Sequence, residues 1–151
     1  MFQTTFSKER IVNMDYFKIL NTELNQYGFQ YKEGLNVDYP TKKKRGLYFA
    51  DKDHILGYLE IGTVIAKVTV PSNVDIHIQK EGVMYADAII LSDIMDIWNI
   101  DNFKKLVEEW GISISKYGNW LVDIARIEGV EEISNYIKEK QNMYSYNISI
   151  R

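Results

Sequence analysis

The sequence predicts an α+β fold: a small antiparallel β-sheet domain with one short helix, followed by a C-terminal helical cap. Three observations carry this. Between residues 63 and 91, β-branched and aromatic residues come in short runs separated by turn residues. From residue 92 onward, apolar side chains recur at three- and four-residue spacing instead. The composition, 46% hydrophobic and 13% aromatic with a net charge of −3 over 151 residues, supports a packed core of ordinary domain size. The change of period divides the chain into a β-rich part, residues 1–92, and a helical part packed on it, residues 93–151.

The elements follow in order. Residues 10–20 (RIVNMDYFKIL) hold apolar side chains at no regular spacing, so no element is assigned there. Short strands are predicted at 27–31 (YGFQY) and 34–37, set off by Gly28 and Gly34, with a loop over 38–45. Residues 47–50 (LYFA) read as a strand. Asp51 or Asp53 then supplies cap chemistry for one or two helical turns over 54–59, with Gly62 placed to end them. Strands are predicted at 63–70 (TVIAKVTV), stopped by Pro71, at 74–78 (VDIHI), and at 85–91 (YADAIIL), with a turn at Glu81-Gly82. Helices are predicted from a Ser92 or Asp93 cap through Trp98, from an Asp101 cap over 102–110, over 119–127 up to Gly129, and over 130–140. The tail, 143–151, alternates Tyr144, Tyr146, Ile148 and Ile150 and reads as a final strand.

Several function classes are excluded or disfavoured on composition. Cysteine is absent, so disulfides and thiolate metal sites cannot form. Only His54 and His77 are available as imidazole ligands, and no metal or other cofactor is implied. No apolar run reaches the ~18 residues of a membrane span, and the first ten residues lack the apolar stretch of a signal peptide. A small acidic surplus does not fit a general nucleic-acid binder. An intracellular protein is expected.

The segments 28–38 (GFQYKEGLNVD) and 46–91, with their GLYF strand, the turn closing at Tyr58-Leu59 and Gly62, and the A-D-x-I-x-L run from Ala86 to Leu91, resemble the N-terminal domain of giant-virus ankyrin-repeat proteins. Residues 119–140 (NWLVDIARIEGVEEISNYIKEK) resemble one ankyrin helix–turn–helix, with Ala125 mid-helix, Gly129 at the turn and Tyr136-Ile137 closing the second helix. The Thr-Pro-Leu-His signature is missing, and about three stacked units are needed for a continuous ankyrin surface. The resemblance therefore implies a viral protein of the host cytoplasm, without a known reaction, acting through a protein partner or through self-association.

Three constellations are candidate sites. Tyr31, Tyr48 and Tyr58, with Tyr27 and His54 close in sequence, would line a pocket for a planar ligand if they do not simply fill the core. A transferase using NAD or another nucleotide would need an acid beside such a pocket, and Glu60 or Glu81 is the candidate. Asp51, Asp53 and His54 form either an acid–base or cation site or a helix cap. Lys42, Lys43, Lys44 and Arg45 form a basic loop suited to nuclear import or weak phosphate contact, although nucleic acid is not the expected partner. Trp98, Trp110 and Trp120 lie among too few helices to bury them all, which marks the helical end as an interaction surface.

Overall fold

The computed structural model describes residues 4–5, 15–38 and 46–149. The fold is α+β, and its contacts divide the chain into two compact units, Met1–Met95 and Asp96–Arg151.

The first unit is built on strands β1 (Thr4–Thr5), β2 (Tyr16–Leu20), β5 (Gly34–Val37), β6 (Leu47–Asp51), β7 (Val64–Thr69), β8 (His77–Lys80), β9 (Val83–Ala86) and β10 (Ala88–Asp96). These form one sheet in the order β1-β8-β9-β6-β2-β7-β10-β5. A separate hairpin joins β3 (Asn25–Gln26) to β4 (Phe29–Gln30), and a 3-10 turn spans Ile55–Tyr58. β2 lies inside the sheet, antiparallel to β6 on one side and β7 on the other. All five of its residues are buried, which is why no periodicity marks it: a strand covered on both faces loses the alternation that reveals a half-buried one. The core gathers Tyr16 and Leu20 with Tyr31, Leu47, Phe49, Ala66, Val68, Met84, Ile89 and Leu91.

Several boundaries differ from those expected. The 74–78 strand forms three residues later, because Val74 donates to the Pro71 carbonyl and extends the turn. The 85–91 strand is two strands broken at Asp87, whose carbonyl accepts from Asp38 N–H at 2.8 Å. No helix starts at Ser92. β10 runs on to Asp96, with Asp93 taking a left-handed φ of 52° that aspartate tolerates better than most residues. Gly62 does not end a helix. A Cβ there would lie 2.2 Å from the Leu20 carbonyl oxygen, so the residue permits a close backbone crossing.

The second unit holds α1 (Ile100–Glu108), α2 (Gly118–Ile127) and α3 (Glu131–Ser149). The cap of α1 is Asn99, not Asp101: its side-chain oxygen accepts from Asn102 N–H at 3.0 Å, while Asp101 adds favourable charge in the first turn. Between α2 and α3, Gly129 at φ 78° donates to the Arg126 carbonyl and Val130 donates to that of Ala125. This paired closure is the Schellman arrangement, in which glycine relieves the left-handed residue. α3 continues through the segment expected to be a strand. Once its first turns exist, each added residue gains a bond without a new nucleation cost, so alternation alone does not stop it. Phe103, Leu106, Leu121, Ala125, Ile133 and Ile137 are buried in this unit, and the Tyr136 hydroxyl donates to Glu108. Trp110 is buried and Trp98 is half-covered beside Phe103, so the helices cover part of the tryptophan set, though not all of it. Trp120 alone of the three is exposed.

Candidate functional site

β2 and β6 pair over only two positions, Tyr16 with Asp51 and Phe17 with Ala50. A continued antiparallel register would set Lys18 against Phe49. Instead the strands part, and the Lys18 side chain occupies the wedge. Its ammonium donates to the Tyr48 carbonyl at 2.6 Å and to the Gln26 side-chain oxygen at 2.7 Å, and lies 4.6 Å from the centre of the Tyr31 ring. The residue is only 3% exposed. Among the described residues no carboxylate pairs with it, and burial lowers its pKa to about 7.

The opening leads into a recess of about 320 Å³. β2 contributes Lys18 and Ile19, and β6 contributes Tyr48, Phe49 and Ala50. Ile55 and Tyr58 of the 3-10 turn and Ile61 beyond it form another wall. Gln79 and Lys80 of β8 and Val83 of β9 close a further side, and Gln26 and Tyr27 reach in from the β3–β4 hairpin. Both residues of that hairpin's turn have positive φ, 52° at Tyr27 and 80° at Gly28. This is the geometry of a type I′ turn, which favours Asn or Gly where Tyr27 stands. An aromatic residue there is held against its backbone preference, 76% exposed, beside the recess. Among the described residues none that lines the recess is acidic, although Asp and Glu outnumber Lys and Arg by 21 to 18 in the chain.

Of the residues singled out from sequence, Tyr27, Tyr48 and Tyr58 line the recess. Tyr31 does not. It lies buried behind Lys18, its ring 4.6 Å from that of Phe29, and burial raises its pKa well above the usual phenol range. His54 stands apart as well. Its Nδ1 is 2.8 Å from an Asp51 oxygen that also accepts from the backbone N–H groups of Asp53 and His54. Its Nε2 is 3.5 Å from Glu81, and its ring packs where a Cβ on Gly82 would fall. The Asp51-to-His54 stretch is therefore a locked turn, and Asp53 faces solvent beside Lys52. His77 is half-buried, stacked on its cross-strand partner Tyr85 at 5.1 Å. Neither Glu60 nor Glu81 lines the recess. Among the described residues no three His, Asp or Glu side chains group to hold a metal ion. Lys42, Lys43, Lys44 and Arg45 lie outside the described residues. Sequence reasoning missed Lys18, Gln26 and Lys80. The signal for Lys18 was available, because a lysine inside the apolar run YFKIL is out of place unless its amine has a task.

Fold and site together define a two-unit α+β protein with a cationic, aromatic recess in its sheet. The chain is 30% identical over 149 residues to an ankyrin repeat protein of Acanthamoeba polyphaga mimivirus, covering 90% of this chain and 73% of that relative. A second ankyrin repeat protein of the same virus is 31% identical over 104 residues, and a third is 26% identical over 130 residues. Those alignments cover 60% and 79% of this chain but only 31% and 33% of the relatives' lengths. The chain belongs to this giant-virus ankyrin repeat protein family. No protein-family profile matches it, and no solved structure does. Among the described residues, no helix is long and apolar enough to cross a membrane.

Proposed function

We propose that the chain is a protein–protein interaction module of the giant-virus ankyrin type. On this reading, residues 1–92 are the family's N-terminal domain, and α2 with α3 form an ankyrin-like helix pair within residues 93–151. The observation that carries it is the second apolar stripe of α2. Leu121, Val122 and Ala125 are buried, yet Trp120 is 41% and Ile127 is 81% exposed. Trp120, Ile124 and Ile127 follow i, i+4, i+7 spacing and so share one side of the helix. A helix apolar on two sides suits a stack, in which each pair covers the next.

The occupant favoured by that pattern is another helix pair of the same kind, and a second copy of this chain is the simplest source. Sedimentation of the purified chain over a wide concentration range tests it. Self-association that is lost in the Trp120→Ser, Ile127→Ser double variant is expected. A chain that stays monomeric at all concentrations overturns it. The transferase reading has weaker support, because among the described residues no acid lines the recess to serve it.

A further inference from the structure

The recess in the first unit carries an inference independent of the α2 surface. We propose that it is a binding site for a small organic acid: a flat ring bearing a carboxylate or phosphate, with the anionic group seated against the Lys18 ammonium. Several observations converge. The amine is buried and its fixed partners are neutral, the Tyr48 carbonyl and the Gln26 amide oxygen. A buried cation without a counter-charge is costly, so an arriving anion recovers more there than at a solvated lysine. Among the described residues the walls contain no carboxylate to repel that anion, and the exposed Lys80 adds a second positive charge beside Tyr58, 6.0 Å from its ring.

The aromatic residues Tyr27, Tyr48 and Tyr58 are among those that line it, and aromatic rings pack favourably against a planar body. A volume of about 320 Å³ lies at the small end of ligand sites, which fits one ring with its acidic group better than a dinucleotide.

Titration calorimetry with benzoate, phenyl phosphate and the uncharged isostere benzamide tests the site. At least one of the two acids is expected to bind, about tenfold or more tightly than benzamide, as a charge-assisted hydrogen bond implies. Which acid binds tells a carboxylate site from a phosphate site. Lys18→Met should abolish that preference. Ile61→Trp, which fills the recess but leaves Lys18 in place, should abolish binding altogether, so the result does not rest on one core variant. Failure of both acids to bind overturns the proposal. So does benzamide binding as well as the acids, or undiminished binding in both variants.

Discussion

The Lys18 ammonium lies 2.6 Å from the backbone carbonyl oxygen of Tyr48, on the strand that β2 has just parted from. A side chain thus satisfies a backbone acceptor that the diverging ladder leaves open, and the divergence makes the recess. Separation of two strands inside a sheet normally strands polar backbone groups at a cost, and a lysine long enough to reach across removes part of it.

That arrangement makes stability depend on pH in an unusual direction. The Lys18 amine has its pKa lowered from 10.5 to about 7 by burial, with Gln26, the Tyr48 carbonyl and the Tyr31 ring around it and no carboxylate paired with it among the described residues. Below about pH 7 the amine is charged in both folded and unfolded chains, and its burial penalty is felt in full. As pH rises from about 7 toward 10.5, the unfolded chain keeps its proton while the folded chain releases it, so folding becomes more favourable. Urea unfolding should show a gain of about 1–2 kcal/mol between about pH 7 and 8.5. Lys18→Met should flatten this slope. Near pH 10 and above the trend reverses, because Tyr16, raised to about 12, and Tyr31, raised further, resist ionisation only when folded.

Tyr27→Asn should stabilise the chain. It installs the Asn-Gly pair that a type I′ turn prefers and relieves a non-glycine residue at φ 52°. A gain of about 1 kcal/mol is expected in denaturant unfolding. If the ring serves the recess, the same variant should weaken binding of the preferred acid, so stability and affinity move in opposite directions.

Gly62→Ala should be strongly destabilising. The added methyl would stand 2.2 Å from the Leu20 carbonyl oxygen and 2.6 Å from the Asn21 nitrogen, both main-chain atoms that cannot swing aside. A loss of about 2–4 kcal/mol, read as a lower urea midpoint, is the expected outcome.

Ser134→Ala should be neutral or stabilising. The Ser134 hydroxyl is fully buried in α3 and has no hydrogen-bond partner among the described residues. Removing it relieves an unmet desolvation cost and adds helix propensity, for a gain of about 1 kcal/mol in thermal unfolding. A clear loss would mean that the hydroxyl has a role in folding which the static contacts do not express.

The contrast between β2 and α2 shows how far the chain can be read without coordinates. Residues 119–127 were legible as a helix because Leu121, Val122 and Ala125 recur at helical spacing, and these are the residues the helix buries. The same holds for β7, where β-branched residues stop at Pro71, and for the turn at Gly129. In β2 the environment is apolar on both faces, so no period survives. The strand that forms one wall of the recess was therefore the least visible element of the first unit.

Local chemistry, then, was enough to anticipate the α+β class and most of the helical pattern, and it singled out Tyr27, Tyr48 and Tyr58, which line the recess, without telling pocket from core. It could not establish that Asp51 ties its carboxylate to His54 and its own turn, or that Tyr31 lies behind the site instead of in it. Those outcomes depend on which strand lies beside which, and on where two strands part. Lys18 and Tyr48 are 30 residues apart in sequence, and only the pairing of β2 with β6 brings the amine and the carbonyl together. Sequence periodicity reports what each segment buries; the partner across the sheet is set by long-range packing, which no local pattern encodes.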